Sequence, residues 1–139
     1  ILVCLVGSEM CIRDRNTPFC KSNPDYWGYV NWPYEKVTEF GICTYRIMKG
    51  SDYKNISFNL NSVVRHEAMH SAQFCRFPGL IVLKPVGIDL KYLMPYKKFV
   101  PDKGIYKDIP YEQKIGELEA YYGEDNPYLV LSKLTQLCY

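Results

Sequence analysis

The stretch Asn61-Ser62-Val63-Val64-Arg65-His66-Glu67-Ala68-Met69-His70-Ser71-Ala72-Gln73-Phe74-Cys75 decides how the rest of the chain is read. It holds both histidines of the 139-residue sequence. His66 and His70 lie just over one α-helical turn apart, so on a helix both project from one face. Leu60, Val63, Val64, Ala68, Ala72 and Phe74 recur around them in an apolar helical pattern, which predicts a helix ending near Cys75 at Pro78-Gly79. Two neutral imidazoles on one face can ligate one Zn²⁺, and Glu67, one position on, can reach a water on that metal. The plainer alternative is an amphipathic helix with two incidental histidines, because a pattern with three fixed positions does arise by chance.

His66-Glu67-Ala68-Met69-His70 is the H-E-x-x-H pattern, and here the chain resembles the zincin group of zinc metallopeptidases. A catalytic zinc needs a third protein ligand and keeps its fourth position for water. No histidine remains to extend the motif, so a carboxylate must serve. Gly116-Glu117-Leu118-Glu119-Ala120-Tyr121 resembles the E-x-x-A-D signature on the second zinc helix of gluzincin families, where the first glutamate is the ligand. The resemblance implies His66, His70 and Glu117 as zinc ligands, with Glu119 the alternative to Glu117. Tyr121 replaces the family's aspartate, which supports a histidine ligand; that support is lost here or passes to Glu119, Asp125 or a backbone carbonyl. Two short blocks carry the resemblance, enough for a superfamily and not for one family.

The implied activity is hydrolysis of a peptide bond by a zinc-activated water, with a peptide or protein as substrate. Glu67 would be the general base. The oxyanion needs a donor besides zinc, and a tyrosine is the natural candidate. Tyr121 is the choice, with Tyr122, Tyr106 and Tyr111 also open among 13 tyrosines. Each of these rings could equally serve only to pack the core. Thr44 to Met48 is expected to be an edge strand on which a peptide could pair by β-augmentation.

The ends carry a separate message. Leu5 to Asp14 matches the translation of a transposase adapter used in sequencing libraries, and residues 1–15 are read as adapter-derived and excluded from fold reasoning. Residues 16–139 are then expected to form one domain whose native N-terminus, with any signal or pro-segment, is truncated. Removing that stretch takes away two cations and two anions, so the formal net charge stays at +2. Such a balance requires neither nucleic acid nor membrane as a partner. No later stretch is apolar enough to span a bilayer. Cys20, Cys43, Cys75 and Cys138 remain, and an even count permits disulfides, in any of three pairings, without requiring them. Neither compartment nor oligomeric state follows.

Turn formers make Asn16 to Pro33 read as irregular chain pinned by Tyr26, Trp27 and Trp32. Lys36 to Met48 reads as one or two strands with Gly41 a bend or bulge, and Lys49 to Asp52 as a turn. Ser57 or Asn59 could cap the motif helix. Leu80 to Ile109 is broken by prolines and glycines into a long loop with short pieces. Pro110 should open a second helix ending near Gly123, and Asn126-Pro127 a third. The expected class is α+β: a short sheet, the H-E-x-x-H helix, a long loop and two C-terminal helices, in a small zincin-like domain.

Three other functions fit parts of the sequence. One is a catalytically inactive zincin-like binding or regulatory module, which Glu67 argues against. Another is single-stranded nucleic-acid binding through Lys91 to Phe99, where lysines alternate with aromatics, although Asp89 and Asp102 flank the run. The last is a closed structural metal site with Cys75, Glu119 or Asp125 as fourth ligand.

Overall fold

The motif helix runs over Ile56–Arg76 (α3), one residue past its predicted end, and the other elements are arranged about it. The structure, a computed structural model, describes residues 2–4, 11–14, 18–31, 39–50, 52–77 and 84–138. Trp32, the Lys36 start of the predicted strand region and the Pro78-Gly79 stop lie outside them. A 3₁₀ turn, Tyr53–Asn55, leads into α3, with the Asn55 amide donating to the Asp52 carbonyl at 2.8 Å. That turn starts the helix, so Ser57 and Asn59 fall inside its first turn rather than capping it.

Helices Tyr111–Asp125 (α5) and Pro127–Cys138 (α6), which the proline punctuation predicts, pack on α3. Asn126 makes the joint between them, its side chain donating to the Tyr122 carbonyl at 2.8 Å. Small residues let α5 come close. A Cβ on Gly123 would stand 2.9 Å from Val130 Cγ2 and 3.3 Å from Met69 Cε. Ala68, Met69, Ala72, Phe74, Val86, Ala120, Val130 and Leu134 form the main core. Full burial of its larger members contributes roughly 1.5–3 kcal/mol each. A disulfide joins Cys75 to Cys138 and ties the ends of α3 and α6 together.

The strands Leu2–Cys4 (β1), Cys11–Asp14 (β2), Gly28–Asn31 (β3) and Glu39–Ile42 (β4) form one sheet in the order β1-β2-β4-β3. β2 pairs parallel with β4 and the other pairings are antiparallel. β1 and β2 lie within the stretch read as adapter-derived. β3, at the opposite edge, packs on α3, with β4 beside it touching the same helix. Gly41 is neither bend nor bulge: it sits opposite Tyr29 in the ladder, and a Cβ there would fall 2.2 Å from the Tyr29 ring. The class is α+β, with helices dominating.

Two segments depart from expectation. Asn16 to Pro33 is not wholly irregular, since it contains a short helix, Pro18–Ser22 (α1), and β3. Thr44 to Met48 is helical, within Thr44–Gly50 (α2), so it offers no strand edge and takes in part of the predicted turn. Its β-forming residues lose to long-range contacts. A Cys20–Cys43 disulfide fixes the start of α2, Ile47 is buried with Ile42 and Val63, and the Arg46 guanidinium donates to the Cys20 and Asn23 carbonyls. The described part of the long loop folds into short pieces, a helix Leu90–Leu93 (α4) and 3₁₀ turns Met94–Phe99 and Gly104–Tyr106. Among the described residues no helix is long and apolar enough to cross a membrane.

Candidate metal centre

On α3 the two histidine rings stand edge to face, with centroids 4.8 Å apart. Glu117 of α5 reaches across to both. Its Oε2 lies 3.5 Å from His66 Nε2, and its Oε1 lies 3.5 Å from His70 Nε2. One ligand atom from each of the three residues falls within 4.8 Å of the others. For metal–ligand bonds of about 2.0–2.2 Å, the edge of a tetrahedron is roughly 3.3–3.6 Å; the two 3.5 Å spacings match it, while the 4.8 Å span of the whole set is wider and would have to close around an ion.

The far nitrogens of both rings are held. His66 Nδ1 is 2.9 Å from Glu124 Oε1, and His70 Nδ1 is 2.8 Å from Gln73 Oε1. Each oxygen can accept a hydrogen bond from Nδ1–H, which turns Nε2 toward Glu117; on His66, whose raised pKa keeps both ring nitrogens protonated in the metal-free chain, the Nε2 proton must leave before a metal binds. The support that Tyr121 cannot give therefore comes from Glu124 and Gln73, neither of which the sequence reading named. Glu124 lies two helical turns after Glu117, which puts it on the same face of α5, and that spacing was a usable signal. Burial alone would lower the His66 pKa, but Glu117, Glu124 and Glu67 outweigh it and push it up to about 10. Burial raises the Glu117 carboxyl, yet the two histidines pull it below its ordinary range.

Glu67 is buried beside the histidines, under β3. A Cβ on Gly28 would meet Glu67 Oε1 at 2.6 Å and Val63 Cγ1 at 2.8 Å, so only glycine lets the strand pass this close. Burial pushes the Glu67 carboxyl up, against the pull of His70 and His66. All four residues face one cavity of about 540 Å³, which Glu124, Tyr106 and Tyr121 also line.

The four candidate tyrosines separate. Tyr121 stands edge-on to the His66 ring at 4.7 Å, and its hydroxyl is 3.2 Å from that of Tyr106. Burial raises both phenols, so both remain protonated. Two hydroxyls sharing one hydrogen bond leave a second proton to donate. Tyr122 instead packs against Tyr92 and Tyr96, and Tyr111 is largely exposed; neither lines the cavity.

Glu119 is not placed as a ligand. Fully buried, it accepts hydrogen bonds from the amides of Val86 (2.7 Å), Gly87 (2.8 Å) and Ile88 (2.9 Å) and from Gln73 Nε2 (3.0 Å). The other suggested fourth ligands are also committed elsewhere: Cys75 to its disulfide, and Asp125 to the Tyr96 hydroxyl at 2.7 Å. In the Lys91–Phe99 segment, Phe99 stacks on Tyr121 and Tyr96 packs on Tyr122, so those rings cover α5.

A family model matches residues 4–139. The chain belongs to the family described as Domain of unknown function (DUF8637). The DUF8637 match takes in most of the stretch read as adapter-derived along with every residue of the candidate centre. No curated protein and no solved structure matches the chain.

Proposed function

We propose that this DUF8637 chain is a zinc-dependent hydrolase, most naturally a gluzincin-like peptidase, with His66, His70 and Glu117 as metal ligands. The observation that carries this reading is the pairing of both Nε2 atoms with the two Glu117 oxygens at 3.5 Å while Glu124 and Gln73 hold the Nδ1 atoms. Two imidazoles and one carboxylate suit zinc and leave a coordination position open. When bound, zinc supplies Lewis acidity, lowering the pKa of a water and polarising the scissile carbonyl. Glu67, buried beside the two histidines with a raised pKa, would serve as general base toward an attacking water and as proton donor to the leaving amine. A hydroxyl of the Tyr121–Tyr106 pair donates to the developing oxyanion. β3 replaces Thr44–Met48 as the strand along which a peptide backbone would run, being a sheet edge next to Glu67.

Zinc content per chain, measured by elemental analysis on wild type, Glu117→Gln and Glu67→Gln, tests the reading together with a peptide-library cleavage assay. About one zinc in wild type, loss in Glu117→Gln, and retained zinc without cleavage in Glu67→Gln are expected. A folded wild type that takes up no zinc would sink it.

A further inference from the structure

The walls of the cavity beside the candidate centre differ in kind from the surface of the chain as a whole. The full sequence has 17 lysines and arginines against 15 aspartates and glutamates. The cavity, by contrast, is lined by Asp25, Glu67, Glu117 and Glu124 and, among the described residues, by no lysine or arginine. A divalent ion among the ligands would offset only half of those four carboxylates, which leaves an acidic cleft. The rest of the lining is dominated by rings and apolar side chains, and several stand well out in solvent: Phe19, Tyr26, Trp27, Phe58 and Ile105. Large apolar side chains grouped at the mouth of a cleft mark a surface that something apolar covers. They are also held in place. The Cys20–Cys43 disulfide anchors α1, which carries Phe19, and the Phe19 ring packs against Tyr26 and Tyr29.

Resting on the hydrolase reading above, we infer that the cleft takes a peptide segment in which a bulky aromatic side chain stands next to a lysine or arginine, and disfavours acidic segments. The aromatic side chain lies against the Phe19, Tyr26 and Phe58 rings, where ring–ring contacts favour an aromatic over an aliphatic residue beyond the area buried. The cation faces Asp25, which is exposed on the same lining. Charge complementarity at the rim raises the rate of encounter and rejects like-charged segments. Backbone pairing along β3 is indifferent to sequence, so the preference comes from these walls.

The test uses the full chain, zinc-loaded and carrying Glu67→Gln, so that binding is read without turnover. Fluorescein-labelled, end-blocked octapeptides that differ only at two central positions, Phe-Lys, Phe-Glu, Ala-Lys and Ala-Ala, are titrated by anisotropy. Phe-Lys should bind at least about tenfold more tightly than Ala-Lys and Phe-Glu, a difference of ~1.4 kcal/mol. Adding Asp25→Lys should weaken Phe-Lys and improve Phe-Glu, and adding Phe58→Ala should narrow the gap between Phe-Lys and Ala-Lys. Phe58 is 62% exposed, so its truncation spares the core, and circular dichroism checks the fold of both variants. Equal affinity for all four peptides, or a preference for Phe-Glu, overturns the inference. Selective binding of Phe-Lys with no cleavage by wild type would leave the cleft assignment standing and fail the hydrolase reading alone.

Discussion

Glu117 and Glu119 are both glutamates on α5, and substitution to glutamine should separate them completely. The Glu119 carboxylate accepts from Val86 N and Gln73 Nε2 through Oε2, and from Gly87 N and Ile88 N through Oε1. A glutamine keeps one acceptor oxygen, so two of the four donors must face an NH₂ group. The Oε2 pair is buried, whereas the Oε1 pair is only partly buried and can turn to water. The glutamine should therefore keep its oxygen toward Val86 and Gln73 and lose Gly87 and Ile88. Each buried donor left unpaired costs about 1–3 kcal/mol, and partial access to water puts the total at about 2–3 kcal/mol.

With Gln73 still held, His70 keeps its Nδ1 acceptor, and zinc affinity in Glu119→Gln should stay within about threefold of wild type. Glu117→Gln should abolish zinc binding, and in the metal-free chain it gives up the ion pairs with His66 and His70 while leaving the Val86–Ile88 bracket intact. Urea unfolding of the metal-free chains reads the first quantity, and competition with a chromophoric chelator reads the second. Gln73→Leu completes the set: removing the His70 partner should cost roughly 10–100-fold in zinc affinity. If Glu119→Gln loses zinc while its unfolding midpoint is unchanged, Glu119 is a ligand and the account of its four hydrogen bonds is refuted.

Four further outcomes follow from the geometry. Gly28→Val puts side-chain atoms where Glu67 Oε1 lies, so zinc should be retained while cleavage falls by about a hundredfold, and normal turnover would contradict the packing of β3 on the base. Replacing both Cys75 and Cys138 by serine opens a bridge of 63 residues' separation, which should cost about 4 kcal/mol in urea unfolding under non-reducing conditions; a change below about 1 kcal/mol would mean the bridge does not form. His66 is held up to about 10, above its unfolded value of about 6.5. That contribution is fully present below the unfolded pKa and is lost as pH rises through the folded one, so the metal-free chain should weaken between about pH 6.5 and 10, and His66→Gln should flatten the slope. Zinc must displace the same proton, so affinity should rise with pH across that window, and calorimetry in buffers of different ionisation enthalpy should detect its release.

How much of this was legible in the sequence depends on the range of the interaction that decides each feature. α3, α5 and α6 could be read because apolar periodicity and proline punctuation are local signals. Thr44 to Met48 could not, because its helix depends on a disulfide to Cys20 and on Arg46 reaching two distant carbonyls. The choice between the two glutamates was readable only in part. Glu117 and Glu119 are two positions apart, about 200° around a helix, so one carboxylate facing His66 and His70 turns the other away. Gly116, Ala120 and Gly123 form the close-packed side of α5, and Glu119 falls nearer to that side than Glu117 does, so helix phase did not single out the ligand and only the resemblance pointed to Glu117. What the phase could not supply is the use found for Glu119. That requires three successive backbone amides, Val86 to Ile88, from a loop whose path no side-chain pattern encodes. The same bracket touches Gln73, so the loop, the core carboxylate and the His70 tautomer form one connected set of hydrogen bonds, and the centre depends on a segment that contributes no ligand to it.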